Sequence, residues 1–364
     1  MKQWMACLSM MLLGGLQTAT GQMHWWPTEV STTTGIWLAE GESRNQVDGV
    51  ALGGQVAWMT RATNGWAAFF RGIEHGGFIG MHRIGASTYG WQPQVGWTLR
   101  TGQSALVGWT FSGGLAYNPN IYDAETAPDL DAAGSHLNGL VRLGVTLAND
   151  SPVGLSLGML HTSNGGVRRP NKGVNTPHAR LTVRLGETPR RRVDVDGATM
   201  GAWRSAVGLA IGARDHGGFG GHVYGVQELF AQTSFVWTPR YALTAQAAVS
   251  HHMALTADPN TDAPSDTLAS QPMDRLQPGL SAGWSWMFGR ARLDLLKGGV
   301  LVNPTPGFAK GYNKAQLFMS VHPNVDVFVA LRFSDWRADF LSGGIALRWG
   351  RSEKECLSCP KWDL

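Results

Sequence analysis

Hydrophobic residues recur along this chain at every second position. Val50, Leu52, Val56 and Trp58 are apolar on even numbers, whereas Leu137, Val141, Leu143, Val145 and Leu147 are apolar on odd ones, with Asn138, Arg142 and Thr146 between them. The same alternation runs through Trp203, Val207, Leu209 and Ile211, through Leu280, Ala282, Trp284, Trp286 and Phe288, and through Val325, Val327, Val329, Leu331 and Phe333. Successive side chains of a strand point to opposite faces, so this period predicts β-strands with one apolar face. After Gln22 no stretch of ~18 apolar residues occurs, and no membrane-spanning helix is predicted.

The opposite face of these strands is mostly Gly, Ala, Ser, Thr, Gln and Arg, while Trp clusters in pairs such as Trp91 and Trp97 or Trp284 and Trp286. A lipid-facing exterior, a small-residue interior and an aromatic girdle together describe an all-β, antiparallel, transmembrane outer-membrane barrel. The competing architecture is a secreted β-sandwich. In the last strand Leu341, Ile345, Leu347 and Trp349 face one way, and Ser342, Gly344, Ala346 and Arg348 the other.

Composition sharpens this picture. Hydrophobic residues make up 43% of the 364 and charged residues 15%, which excludes a disordered, charged tail. The 48 glycines show no collagen period, and a net charge of +4 is too small to call for a nucleic-acid partner. Lys2, the apolar run Met5 to Leu16 and the small residues Ala19-Thr20-Gly21 read as a signal peptide over residues 1–21, leaving a mature chain from Gln22. Cys7 lies inside the apolar run, which argues against a lipid anchor there.

Residues 22–349 are expected to form a single barrel of about 12–16 strands, with 14 as the favoured number, and residues 350–364 a periplasmic tail. Tyr122 to Ala133 and Ala257 to Pro278, acidic and Pro-containing, read as long outer loops. Cys356 and Cys359 in the tail read as a local disulfide or an incidental pair, because zinc would need two more ligands than the tail holds. Glu74-His75-Gly76-Gly77-Phe78 is echoed by Asp215-His216-Gly217-Gly218-Phe219. The pair reads as an ion or headgroup site or as two tight turns, and Gly-Gly favours turns.

The chemistry concentrates between Leu155 and Leu185. On the strand Val153, Leu155, Leu157, Met159 the apolar face is odd-numbered, and the next odd residues are His161 and Ser163. A base and a hydroxyl therefore stand side by side on the lipid-facing wall, where a histidine without a role would cost desolvation for nothing. Asn164, Gly165 and Gly166 follow, with amide donors and a backbone free to turn, as an oxyanion hole requires. Serine becomes nucleophilic when an imidazole takes its proton, and the imidazole needs a third group to fix its tautomer. The odd face of the next strand, Ala179, Leu181, Val183, Leu185, extends back to Asn175, which either orients the histidine or closes the turn begun at Gly173. Asp150 and Glu187, the nearest carboxylates, fall at the opposite strand ends.

His161-Thr162-Ser163-Asn164-Gly165-Gly166, Pro170-Asn171 and Gly173-Val174-Asn175 resemble the His-x-Ser-Asn motif of the lipid A 3-O-deacylase family of outer-membrane enzymes, also known as acyloxyacyl hydrolases. Gly134-Ser135-His136-Leu137-Asn138, Gly114-Leu115-Ala116-Tyr117 and Ala338-Asp339-Phe340 to Trp349 are similar to segments of longer members. The resemblance implies a carboxylic-ester hydrolase on the outer wall of a barrel in the cell outer membrane, cleaving an acyl chain from lipid A of lipopolysaccharide. It makes Ser163 the nucleophile and His161 the base, and ties Asn164, Gly166 and Asn171 to the oxyanion hole. The family's acidic triad member falls at Asn175, an amide that can orient the imidazole but cannot bring a full charge to the imidazolium.

Arg168 and Arg169 follow the motif and are expected at the level of the lipid A phosphates, which guanidinium groups bind in a bidentate way; the alternative is two solvated loop charges. The expected partners are lipid A and outer-membrane lipids, and no cofactor or metal is expected. The rival function is a barrel without chemistry, structural, lipid-binding or channel-forming. The inward positions Gly344, Ala346 and Thr182, with only Arg142, Arg180, Arg184 and Arg348 scattered among them, lack a channel's charged rings.

Overall fold

In a computed structural model the chain is described over residues 26–350, apart from 40, 63–71, 103–105, 148–150, 189, 192–200, 217–221, 239, 257–271, 289–290, 303–309 and 335–336. The expected signal peptide, the C-terminal tail and both of its cysteines lie outside the described residues. The strands are β1 (Glu29–Gly35), β2 (Ala51–Ala62), β3 (Ile73–Arg83), β4 (Gln92–Thr101), β5 (Val107–Tyr117), β6 (Leu137–Leu147), β7 (Val153–Ser163), β8 (Val174–Arg184) and the short β9 (Arg190–Arg191). They continue as β10 (Trp203–His216), β11 (His222–Val236), β12 (Tyr241–His252), β13 (Leu276–Phe288), β14 (Ala291–Val300), β15 (Gly311–His322), β16 (Val325–Ser334) and β17 (Arg337–Gly350).

The antiparallel barrel is there, but not as one ring. Strands β1 to β8 close on themselves because β1 pairs with both β2 and β8, and β10 to β17 close separately through β10 with β17. The chain accordingly divides into compact units at residues 1–193 and 194–364. This corrects both the single barrel and the favoured count of 14: the rings hold eight strands each, and their closure is decided by pairings such as Val30 with Val183 and Leu209 with Ile345, which periodicity does not show. Eight strands leave an interior that side chains can fill.

Both walls follow the alternation. In β7, Val153, Leu155, Leu157 and Met159 are exposed while Ser156 and Leu160 are buried. Strands β5 to β8 have 11 residues each, the length of a tilted membrane crossing. On the second barrel Trp203 packs on Phe235 and Trp237 stacks on Trp284 at 6.0 Å, with Trp349 also exposed, forming an aromatic belt near the short turns.

The interiors are polar but filled. In the first barrel Glu29 pairs with Arg100 and Arg180, and Glu74 with Arg61, Arg100 and Arg184. In the second, Phe230, Phe318 and Phe328 pack together while Glu228 pairs with Lys314 and Asp339 with Arg214 and Arg332.

Glu74 to Phe78 are not a turn: they sit within β3, with Glu74 in the interior ion network. Gly76 is there because the chain passes so close to β2 that a Cβ would stand 1.9 Å from the carbonyl oxygen of Trp58. In the echo, Asp215 and His216 end β10, and Gly217 to Phe219 lie outside the described residues. Tyr122 to Ala133 do form a loop, between β5 and β6, whereas Leu276 to Pro278 already belong to β13 and Ala257 to Gln271 lie outside the described residues.

Candidate active site on the wall of the first barrel

Four loops gather at the end of the first barrel where β7 finishes. Trp37, Ile84, Ala86, Tyr89, Leu130, Ala132, Ala133 and Val174 form their common core. The Trp37 ring meets Tyr89 edge-on at 5.4 Å, and the Tyr89 hydroxyl accepts the Ala132 N–H at 3.2 Å. Asp48 joins the β1–β2 loop to Ser87 and Arg83; the Ser87 hydroxyl and amide hold its carboxyl below the usual carboxylate range. This cap fixes the segment 164–173 that links β7 to β8: Lys172 pairs with buried Asp131, and the Gly173 N–H donates to the Ala132 carbonyl at 3.2 Å. Gly134 lies so close that a Cβ would stand 2.4 Å from the Pro170 carbonyl oxygen.

On the outward face beside this cap, His161 and Ser163 stand two residues apart on β7, and Asn175 is the register partner of His161 on β8. The Ser163 hydroxyl donates to His161 Nε2 at 3.0 Å, and His161 Nδ1–H donates to Asn175 Oδ1 at 2.8 Å. That order fixes the tautomer with the free nitrogen toward the serine. All three side chains are half-buried, so they meet the surroundings of the wall while keeping their mutual bonds.

Neighbours decide what else fits there. His161 lies between Val141 and Asn175, whereas Ser163 lies between Gly139 on β6 and Gly173 at the end of the loop. A Cβ at Gly139 would meet only the Ser163 carbonyl oxygen, at 3.5 Å. One at Gly173 would come 3.1 Å from His161 Cε1 and 3.4 Å from Ser163 Cβ, and Gly173 has φ +70. The hydroxyl thus opens into a notch walled by backbone.

Asn164, Gly166 and Asn171 are brought together next to Ser163. The Asn164 N–H donates to Asn171 Oδ1 at 3.1 Å, the Gly166 N–H to Asn164 Oδ1 at 3.1 Å, and Asn164 Nδ2 to the Arg168 carbonyl at 2.6 Å. Gly165 and Gly166, at φ +67 and +81, make the turn that allows this. The backbone donors nominated for an oxyanion hole therefore bind side-chain oxygens of their own loop. Arg168 is exposed and Arg169 half-buried on that loop. Glu187 follows β8 at the far end, as expected, and Asp150 lies outside the described residues. Sequence reasoning did not find Asp131, Lys172, Gly139 or the steric part of Gly173. The loop pair carries no local signal, but Gly139 was legible as the one small residue in the odd series Leu137, Val141, Leu143.

A closed barrel with an apolar wall, an aromatic belt and a hydrogen-bonded Ser-His-Asn chain on that wall defines an integral membrane barrel of the outer-membrane type. Residues 16–184, which span the N-terminal barrel, match the model of the lipid A 3-O-deacylase (PagL) family. Among solved structures, the outer membrane enzyme PagL aligns at 14% identity and a TM-score of 0.32, covering 43% of this chain and 99% of that one. A triple mutant of the Rhodopseudomonas blastica porin aligns at 10% identity and a TM-score of 0.20, covering 88% and 99%. No curated protein matches the chain. Ala338 to Trp349 lie in β17, beyond the residues matched by the family model.

Proposed function

We propose that the N-terminal barrel is a serine esterase that removes an ester-linked acyl chain from lipid A within the outer membrane. The observation that carries this reading is the chain Ser163 to His161 to Asn175, at 3.0 and 2.8 Å, on the outward face of the wall. Ser163 Oγ attacks the ester carbonyl while its proton passes to His161 Nε2. The sugar oxygen leaves with that proton, and water, deprotonated by the same nitrogen, releases the fatty acid and restores the serine. Asn164, Gly166 and Asn171 hold the loop beside the reacting carbon, and the Gly166 N–H serves the oxyanion by exchanging its bond to Asn164 Oδ1 for the substrate oxygen. Arg168 and Arg169 engage the lipid A phosphates.

Because the nucleophile stands on the wall and not in a solvent pocket, the substrate is a lipid already in the membrane. Mass spectrometry of lipid A incubated with the purified protein tests the reading: Ser163→Ala and His161→Ala should each lose acyl release with the barrel still folded. Deacylation retained by Ser163→Ala would rule out the serine mechanism. The amide at Asn175 favours a second reading, a barrel of this family with weakened catalysis, and turnover of the parent protein against Asn175→Asp distinguishes the two.

A further inference from the structure

We infer that the interior of the first barrel binds a small monovalent inorganic anion beside Arg142. Arg142 points inward from β6 and is 3% exposed. Its Nη1 donates to Gln55 Oε1 at 2.7 Å and its Nη2 to Gln94 Oε1 at 3.5 Å, while Nε has no partner. Among the described residues no carboxylate pairs with it: Glu29 and Glu74 are committed to Arg61, Arg100, Arg180 and Arg184. Arg180 lies near enough to add repulsion between like charges. A buried cation without a counter-charge is among the most costly arrangements in a protein interior.

Several groups around Arg142 offer hydrogens that no other group accepts. Gln55 and Gln94 give their oxygens to the guanidinium, which leaves both of their Nε2 groups buried and unpartnered. Gln92, register partner of His82, has both amide atoms unpartnered, and both ring nitrogens of His82 are unpartnered at 1% exposure. His82 lies within electrostatic reach of Arg142 and of His178, whose Nδ1–H donates to the Thr176 carbonyl. A cation would be repelled by Arg142 and would meet few free acceptors. An anion would be met by guanidinium, amide and imidazole N–H groups together. The guanidinium stands 5.8 Å from the Phe78 ring and Arg142 is the register partner of buried Leu160, so the site is enclosed in the barrel interior and suits a halide-sized ion and not a lipid headgroup.

The test uses the full chain in detergent, with thermal unfolding followed in sodium chloride, sodium bromide and sodium gluconate at equal ionic strength, and crystals soaked in bromide. We expect a midpoint a few degrees higher in chloride and bromide than in gluconate, rising with the logarithm of halide concentration as a ligand of the folded state requires. Arg142→Met should remove that dependence and Lys297→Met, on the outer wall of the second barrel, should keep it. An anomalous bromide peak against Arg142 in the parent protein supports the site even if Arg142→Met does not fold. Equal midpoints in the three salts, with no bromide peak at Arg142, would overturn the inference.

Discussion

Ser163 on the first barrel and Ser205 on the second are both outward-facing hydroxyls on a membrane wall, and they have different company. Ser163 has an imidazole two residues away on its own strand and glycine on both sides. Ser205 has Thr233 and Trp349 across from it and bonds only to the Thr233 hydroxyl, at 3.5 Å. A serine on a lipid-facing wall gains chemistry from a base and from space, and one barrel supplies both.

Exchanging these serines probes the difference most strongly. Ser163→Ala should lower acyl release by about a thousandfold or more, while Ser205→Ala leaves it unchanged; a comparable loss from both would dissolve the contrast. The second barrel depends on its filling. Lys314→Met leaves Glu228 buried without its cation and should destabilise that barrel by about 3 kcal/mol in denaturant titration, with acyl release by the first barrel unaltered.

Gly173→Ala tests the notch. The added methyl crowds His161 at a backbone position with positive φ, so turnover should fall about ten- to a hundredfold with the fold retained. For Asn175 smaller changes of opposite sign are expected, about tenfold down for Asn175→Ala and up for Asn175→Asp, read as initial rates on one lipid A preparation. The least effect concerns the cap. With its carboxyl held below the ordinary range, Asp48 contributes stability above about pH 4 and loses it as pH falls through the lowered value. Parent protein and Asp48→Asn should differ slightly in melting temperature near neutrality and converge in acid.

Much of this was legible in the chain. Period two sorts Leu155, Leu157 and Met159 to the outside, and the same count carries His161 and Ser163 onto that face without any structure. Parity across the loop reaches Asn175, because the strand resumes in register. The closures were not legible, since nothing near Val30 or Leu209 announces Val183 or Ile345 as its neighbour. Gly76 misled because close approach of strands and tight turning call for the same residue. Asp131 and Lys172, 41 positions apart, meet only once the loops pack.

The ion networks and phenylalanines that fill the two barrels bear on the envelope around them. A cylinder with an open bore would admit solutes and dissipate the barrier that an outer membrane maintains against detergents and antibiotics. Glu29 and Glu74 with their arginines, and Phe230, Phe318 and Phe328, occupy the bores instead. A cell could carry many copies of this protein without becoming leaky, so its abundance is not limited by permeability.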